Sequence, residues 1–452
     1  MKHLSFLSVM FALFFTACFA PGLDSSDPAN TRSTAIDPAI YSLIDDPNDP
    51  YREVYAEFRA RRAADMKNPN FPEPLPYFPA THFTRDMPWT PIENILPLNR
   101  EEMDQERVEN LEKAVKMRLG FDHPDLKITQ IMIGAGGILP AHADGAPGVY
   151  IGVGGFGEVF REGQTQTLTP GTTVKLNPYD IRRVAATGDE PVKLLWIRWA
   201  PDGDQNFFDA GYYLTGSNQH IQPEGSDMPL DYKFWGADYR TEPVDNVQNP
   251  AKIAPSGSFY EAQAKQLETI RSAMGDAREL YPATPAFGHE SDRNWLTKEQ
   301  LKKGGFFFSK DAERFGAIAD KMIAIGRHKG IFRAARSDGS WDFNISEMAW
   351  GPKSTYVEHS HLTPEFYYIM SGPVIYGVDG EEYEVMPGDI IHNNSYSPHL
   401  ARGIVDGMPF DNFGASWAPR GDRSVFDRPV FWVEPFPNQP DSAFLPSDIT
   451  FH

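Results

Sequence analysis

The sequence repeats itself at a nearly constant offset. His142 recurs as His359, a step of 359 − 142 = 217. Gly134 and Gly351, Gly155 and Gly372, and Pro170 and Pro387 are separated by the same 217 residues. The strings WAPDGD at Trp199 and WAPRGD at Trp417 are separated by 417 − 199 = 218. A spacing that survives over five landmarks implies one structural unit used twice, with few insertions. Each copy is built from short apolar runs, such as KLLWIRWAP (193–201) and EEYEVMPGD (381–389), broken by Gly, Pro and Asn. Such runs read as the strands of a sandwich or barrel. The expected fold is therefore mainly β, two tandem barrels with flanking α-helices.

The expected divisions follow from the same reading. Residues 1–20 form a signal peptide and 21–50 a loose tether rich in Pro, Asp and Ser. Residues 51–125 form a helical segment, 126–204 the first barrel, and 205–340 a linker with further helices. Residues 341–422 form the second barrel and 423–452 a C-terminal extension. Helices are expected at 51–67, 100–120, 258–281 and 309–326. In 100–120 the apolar residues Val108, Leu111, Val115 and Leu119 recur at steps of three and four. The segment 258–281 is a candidate cover for the mouth of the second barrel.

The N-terminus has a short positive head at Lys2 and His3 and an apolar run from Leu4 to Ala17. That run is short for a membrane span and has the form of a secretory signal. Cys18 is the single cysteine of the chain. The string FTAC ending there resembles a bacterial lipobox, which implies a lipid on Cys18; ordinary cleavage near Ala20 is the alternative. Both place the mature protein outside the cytoplasm, as a periplasmic protein or an outer-membrane-anchored lipoprotein. Membrane contact is expected only through that lipid. One cysteine excludes an intrachain disulfide and a multi-thiolate metal site. A formal net charge of −20 argues against nucleic acid as a partner. The expected partner is a small-molecule substrate.

The chemistry-bearing stretch is HSHLTPEFYYIMSG, residues 359–372. His359, His361, Glu365 and Tyr367 all carry odd numbers, so an extended chain would turn them to one side. Three imidazoles and one carboxylate suit Fe(II), Mn(II), Zn(II), Ni(II) or Co(II). Two histidines compete for the third imidazole, His392 and His399; seven residues apart, they fall on opposite faces under strict alternation.

These residues resemble the cupin superfamily. Its first motif, G…HxHxxxE…G, reads here as Gly351, His359, His361, Glu365 and Gly372. Its second, a Pro-Gly step before a third histidine, reads as Pro387, Gly388 and His399 within MPGDIIHNNSYSPH. Asn394-Ser395-Tyr396 replaces the family's usual Pro-x-Gly turn. The resemblance covers roughly 130–204 and 343–422. It implies jelly-roll barrels with a site in the mouth and one divalent transition metal held by His359, His361, Glu365 and His399. It places His392 behind the ligands or at the surface.

At an offset of 217 the first copy keeps His142 and Tyr150 but has Asp144 for His361, Gly148 for Glu365 and Arg182 for His399. An arginine does not deprotonate to bind a metal. The first barrel is expected to be structural, the sharper alternative being a carboxylate pocket built on Arg182.

The Glu-x-Tyr step adds a further resemblance, to the cupin dimethylsulfoniopropionate lyases. That likeness implies α,β-elimination to dimethyl sulfide and acrylate, with Tyr367 as base. Trp350, Tyr376 and Trp417 would be available to hold a sulfonium. The alternatives are an Fe(II) dioxygenase with Glu365 as base, and a non-catalytic lipoprotein that binds a small molecule.

Overall fold

The computed structural model describes residues 115–209, 258–281, 286–297 and 324–427, less single positions, with short strands at 81–82, 212–214 and 431–432. The signal segment, the tether, the helix expected at 51–67 and residues 100–114 lie outside the described residues. The chain divides into two compact units. One contains Met1–Arg85, Arg293–Arg333 and Trp341–His452; the other contains Asp86–Asp292 and Ala334–Ser340.

Strand β1 (Thr81–His82) comes first in the chain. The first barrel follows with β2 (Val115–Asp122), β3 (Leu126–Ile133), β4 (Ile138–Asp144), β5 (Gly148–Gly154), β6 (Gly157–Arg161) and β7 (Gln164–Leu168). It continues with β8 (Thr173–Leu176), β9 (Arg182–Ala186), β10 (Val192–Trp199), β11 (Tyr212–Leu214) and β12 (Phe287–Gly288). Helix α1 (Asn206–Asp209) is a single turn, and α2 (Ser258–Met274) is the one long helix among the described residues. The second barrel has β13 (Gly326–Ala335), β14 (Trp341–Trp350), β15 (Thr355–Ser360), β16 (Glu365–Ile369) and β17 (Val374–Val378). Strands β18 (Glu381–Val385), β19 (Ile390–Asn393), β20 (His399–Gly403), β21 (Phe410–Trp417) and β22 (Phe431–Trp432) complete it.

Each barrel is a six-stranded antiparallel sheet facing a five-stranded one. The six-stranded orders are β12-β8-β5-β10-β3-β2 and β1-β19-β16-β21-β14-β13. The five-stranded orders are β11-β4-β9-β6-β7 and β22-β15-β20-β17-β18. These are the same order twice, and the strand bounds carry the repeat. Adding 217 to 157–161, 164–168, 173–176 and 182–186 gives 374–378, 381–385, 390–393 and 399–403, the bounds of β17 to β20. The fold is two tandem jelly-roll barrels, mainly β.

One feature of the order was not visible in the repeat. β1 precedes the first barrel in the chain yet pairs with β19 of the second, through Thr81 with Ile391 and His82 with Ile390. β12 precedes the second barrel yet pairs with β8 of the first.

One expected helix is corrected in its described part. Residues 115–120 belong to strand β2, paired with β3. Val115, Met117 and Phe121 are buried while Leu119 is 39% exposed. The burial follows a period of two, broken by a bulge between Leu119 and Phe121. Of the helix expected at 309–326, residues 309–323 lie outside the described residues, 324–325 are helical, and Gly326 already opens β13. The helix at 258–281 is present as α2 followed by a 3-10 turn, Gly275–Arg278. It belongs to the unit of the first barrel and packs beside β11.

Candidate metal centre

Both sheets of the second barrel contribute to the site. β15 and β20 belong to the five-stranded sheet, and His359 and His399 are direct cross-strand partners there. His361 lies just beyond the end of β15. Glu365 and Tyr367 come from β16 of the facing sheet. The sequence reading placed all four on one face of one strand. They instead meet across the interior, because the chain turns between Ser360 and Glu365 and enters the other sheet.

The three imidazoles are fully buried and each offers a ligand nitrogen, all within 4.8 Å of one another. Ring centroids are 4.2 Å apart for His359–His399, 4.6 Å for His361–His399 and 4.9 Å for His359–His361. Backbone carbonyls fix two of the rings. His359 Nδ1 lies 2.8 Å from Val357 O, and His399 Nδ1 lies 2.9 Å from Ser397 O. An N–H donated from Nδ1 to a carbonyl leaves Nε2 with its lone pair free for a metal. Glu365 closes the group: Oε1 is 3.3 Å from His361 Nε2 and Oε2 is 3.5 Å from His399 Nε2. Burial and the neighbouring His399 hold His359 well below the usual imidazole range, so it stays neutral as a metal ligand must. Three converging ring nitrogens around one carboxylate, with two rings oriented by backbone carbonyls, fit a divalent cation. His399 enters its strand from a turn closed by Ser397 N–H donating to Asn394 O at 3.0 Å. A hydrogen-bonded turn thus forms without the Pro-x-Gly sequence.

Tyr367 Oη donates to Glu365 Oε2 at 2.6 Å, and Ser416 Oγ lies 3.5 Å from Oε1. Burial first, then the Glu365 charge, hold the Tyr367 phenol well above its usual range. Tyr376 stands beside it, with ring centroids 5.1 Å apart. Tyr356 stacks between the site and the core, 4.4 Å from the His359 ring and 4.4 Å from Trp350. The sequence reading did not single out Tyr356. Its signal was available, since it lies near the start of the strand that leads to the histidine pair.

Trp417 is corrected, and His392 takes the first of its two expected places, behind the ligands. His392 pairs with Phe366, and Trp417 follows Ser416, which pairs with Glu365. Both therefore lie on the face of the sheet opposite Glu365, stacked on each other at 5.7 Å. His392 is buried rather than superficial, at 1% exposure. Trp417 is not available to a ligand held by Glu365.

The first barrel fills the same place with an ion pair. His142 and Arg182 are cross-strand partners, as His359 and His399 are. Arg182 Nη2 bonds Asp144 Oδ2, Nη1 donates to Asp180 O at 3.1 Å and Nε lies 3.4 Å from Tyr150 Oη. His142 Nε2 is 3.0 Å from Tyr150 Oη. Burial works against the guanidinium charge, but Asp144 and Tyr150 outweigh it and hold the pKa above its usual value. With its charge matched inside the barrel, Arg182 is engaged and a carboxylate pocket on it loses its basis. At the position of Glu365, a Cβ on Gly148 would meet Ile197 O at 2.8 Å. Among the described residues, His359, His361 and His399 form the group able to hold a metal.

Residues 346–409 match the family model described as Cupin domain. No curated protein sequence matches the chain. Among solved structures, AerE from Microcystis aeruginosa is similar at 8% identity and a TM-score of 0.39, over 67% of this chain and 92% of that one. A single-residue variant of Bacillus subtilis oxalate decarboxylase is similar at 12% identity and a TM-score of 0.42, over 78% and 82%. The Lactobacillus farciminis oxalate decarboxylase formate complex is similar at 14% identity and a TM-score of 0.40, over 68% and 81%. The four candidate ligands, His359, His361, Glu365 and His399, all lie inside the segment that matches the cupin domain model.

Proposed function

We propose that the second barrel is a divalent-metal-dependent lyase for a small carboxylic acid, removing the proton next to the carboxylate. The first substrate to test is dimethylsulfoniopropionate. The reading is carried by one observation: Tyr367 Oη hydrogen-bonds Glu365 beside three converging imidazoles. A cation held by His359, His361, His399 and Glu365 would supply Lewis acidity, making the C–H next to a bound carboxylate more acidic.

The chain's residues do the rest. Ser416 and Tyr367 orient Glu365 from the two sides. Burial of every ligand to 6% exposure or less excludes bulk water from the reacting atoms. Tyr367 Oη, as phenolate, takes the α-proton. The C–H electron pair becomes the new C=C bond, the Cβ–S bond breaks, and dimethyl sulfide leaves with its electrons, giving acrylate. Burial and Glu365 oppose the phenolate, while positive charge among the imidazoles favours it. The base role therefore depends on a loaded site. Export remains part of the proposal, on the strength of residues 1–20, and cell fractionation checks it.

The test is anaerobic incubation of Fe(II)- or Mn(II)-loaded protein with dimethylsulfoniopropionate, recording headspace dimethyl sulfide and metal content together. Tyr367→Phe should lower release by about 100-fold or more with metal retained. Near-wild-type release from that variant would refute the mechanism. Silence from fully loaded protein, followed by oxygen uptake with phenolic compounds, would place the site among the dioxygenases.

A further inference from the structure

Arg183 follows Arg182 in β9 and so turns to the opposite face of the five-stranded sheet, out of the first barrel. It is nevertheless only 2% exposed. Its Nε and Nη2 are both closed to solvent, and neither has a hydrogen-bond partner among the described residues. Arg182 differs, being engaged by Asp144, Asp180 and Tyr150. Burial lowers the pKa of Arg183 to about 10, with Glu158 acting the other way, so the side chain keeps its full charge at neutral pH. A buried charge without a partner is among the most destabilising features a fold can carry. Phe160 pairs with Arg183, and Thr165 pairs with Phe160 on the next strand, so the three form one row on that face. Phe160 clusters with Ala141 and Ile181, which are apolar. Glu158 stands opposite Ala185 rather than Arg183. Thr165 Oγ1 is itself closed to solvent and without a partner among the described residues.

The second barrel builds the same row without a buried charge. At the offset of 217, Arg183 corresponds to Leu400 (183 + 217 = 400), Phe160 to Gly377 (160 + 217 = 377) and Thr165 to Glu382 (165 + 217 = 382). The ladder is the same, since Gly377 pairs with both Leu400 and Glu382. Leu400 lies over Gly377, where a Cβ would meet its Cγ at 2.8 Å. Glu382 is bonded by Arg402 Nη2 at 2.9 Å near the surface. A leucine therefore suffices at this place in the fold, and packing does not account for Arg183.

The two orphaned atoms set the chemistry. Nε and Nη2 stand on one edge of the planar guanidinium, where two N–H bonds run parallel. That edge matches two oxygens of one carboxylate or phosphate. We infer that Arg183, with Thr165 in the same row, is an anion site on the outer face of the first barrel, taking two oxygens of a small carboxylate or phosphate. The site is independent of the reaction proposed for the second barrel. Its nitrogens are closed to solvent, so the ion enters as that face opens locally, and binding is read after long incubation.

The experiment is thermal melting of full-length protein at neutral pH and fixed ionic strength, with chloride replaced by phosphate or by acetate. The parent should melt about 3 °C or more higher in at least one of the two. A shift with acetate alone identifies a carboxylate site, and a shift with phosphate alone a phosphate site. Arg183→Leu should shift by less than about 1 °C, which separates this site from an ion held at the metal centre. In chloride that variant should melt at or above the parent, because it removes an unpaired buried charge. Arg183→Lys keeps the charge without the two-pronged edge, and should bind the ion about tenfold more weakly in equilibrium dialysis. No shift with either ion, equal shifts in the parent and Arg183→Leu, or unchanged affinity in Arg183→Lys would overturn the inference. A lower melting temperature of Arg183→Leu in chloride would overturn it too, by showing that the arginine is already satisfied within the chain.

Discussion

Arg182 and His399 open equivalent strands and face equivalent histidines across the ladder. Their chemistry decides what each barrel holds. An imidazole can be neutral and donate a lone pair; a guanidinium cannot. Arg182 instead brings a charge that must be matched inside, and Asp144 matches it. Removing one partner of such a buried pair leaves an uncompensated charge at a cost of about 3–5 kcal/mol. Arg182→Ala should therefore lower urea stability by about that much, and the double variant Arg182→Leu with Asp144→Leu by clearly less. A loss under about 1 kcal/mol in Arg182→Ala would mean that the pair does not hold the barrel. The substitution at 182 was legible from the offset alone. The Asp144 contact and the closed space over Gly148 were not, because both depend on which atoms the facing sheet brings near.

At the scale of the element, strands were legible where apolar and polar residues alternate and turns punctuate them, as in EEYEV before Pro387-Gly388. β2 was misread because Val115 and Leu119 satisfy a helical period as well as a strand one. Met117 and Phe121, which the helical reading left unused, are the residues the strand buries. The odd-numbered ligand pattern was legible as a set, but not as two strands on facing sheets, since alternation within one strand says nothing about a change of sheet. β13 adds a further buried histidine. His328 meets Trp350 edge to face at 5.2 Å, and burial lowers its pKa to about 3. Its folded-state value lies below the unfolded one, so the unfolded chain binds the proton first as pH falls. Stability contributed by a neutral His328 is complete above about pH 6.5 and is lost on acidification toward pH 3, by up to about 1.4 kcal/mol per unit. Chemical denaturation of metal-free protein between pH 7 and 5 should show that decline, and His328→Phe should flatten it. An unchanged slope in His328→Phe would assign the acid sensitivity to other groups.

At the scale of the molecule, one repeat has produced two barrels with the same strand order and opposite interiors. The duplication was legible because its offset shifts by a single residue between the landmarks. The destinations of β1 and β12 were not, since two-residue strands carry no periodicity and their pairing is a long-range choice. Of the two interiors, the second carries the group able to hold a metal. The most direct test is the metal content of full-length protein after saturation with Mn(II) or Zn(II) and removal of excess ion, measured beside His361→Ala. One ion per chain is expected, lost in His361→Ala and kept in Arg182→Ala. Two ions per chain, or a content unchanged in His361→Ala, would contradict it.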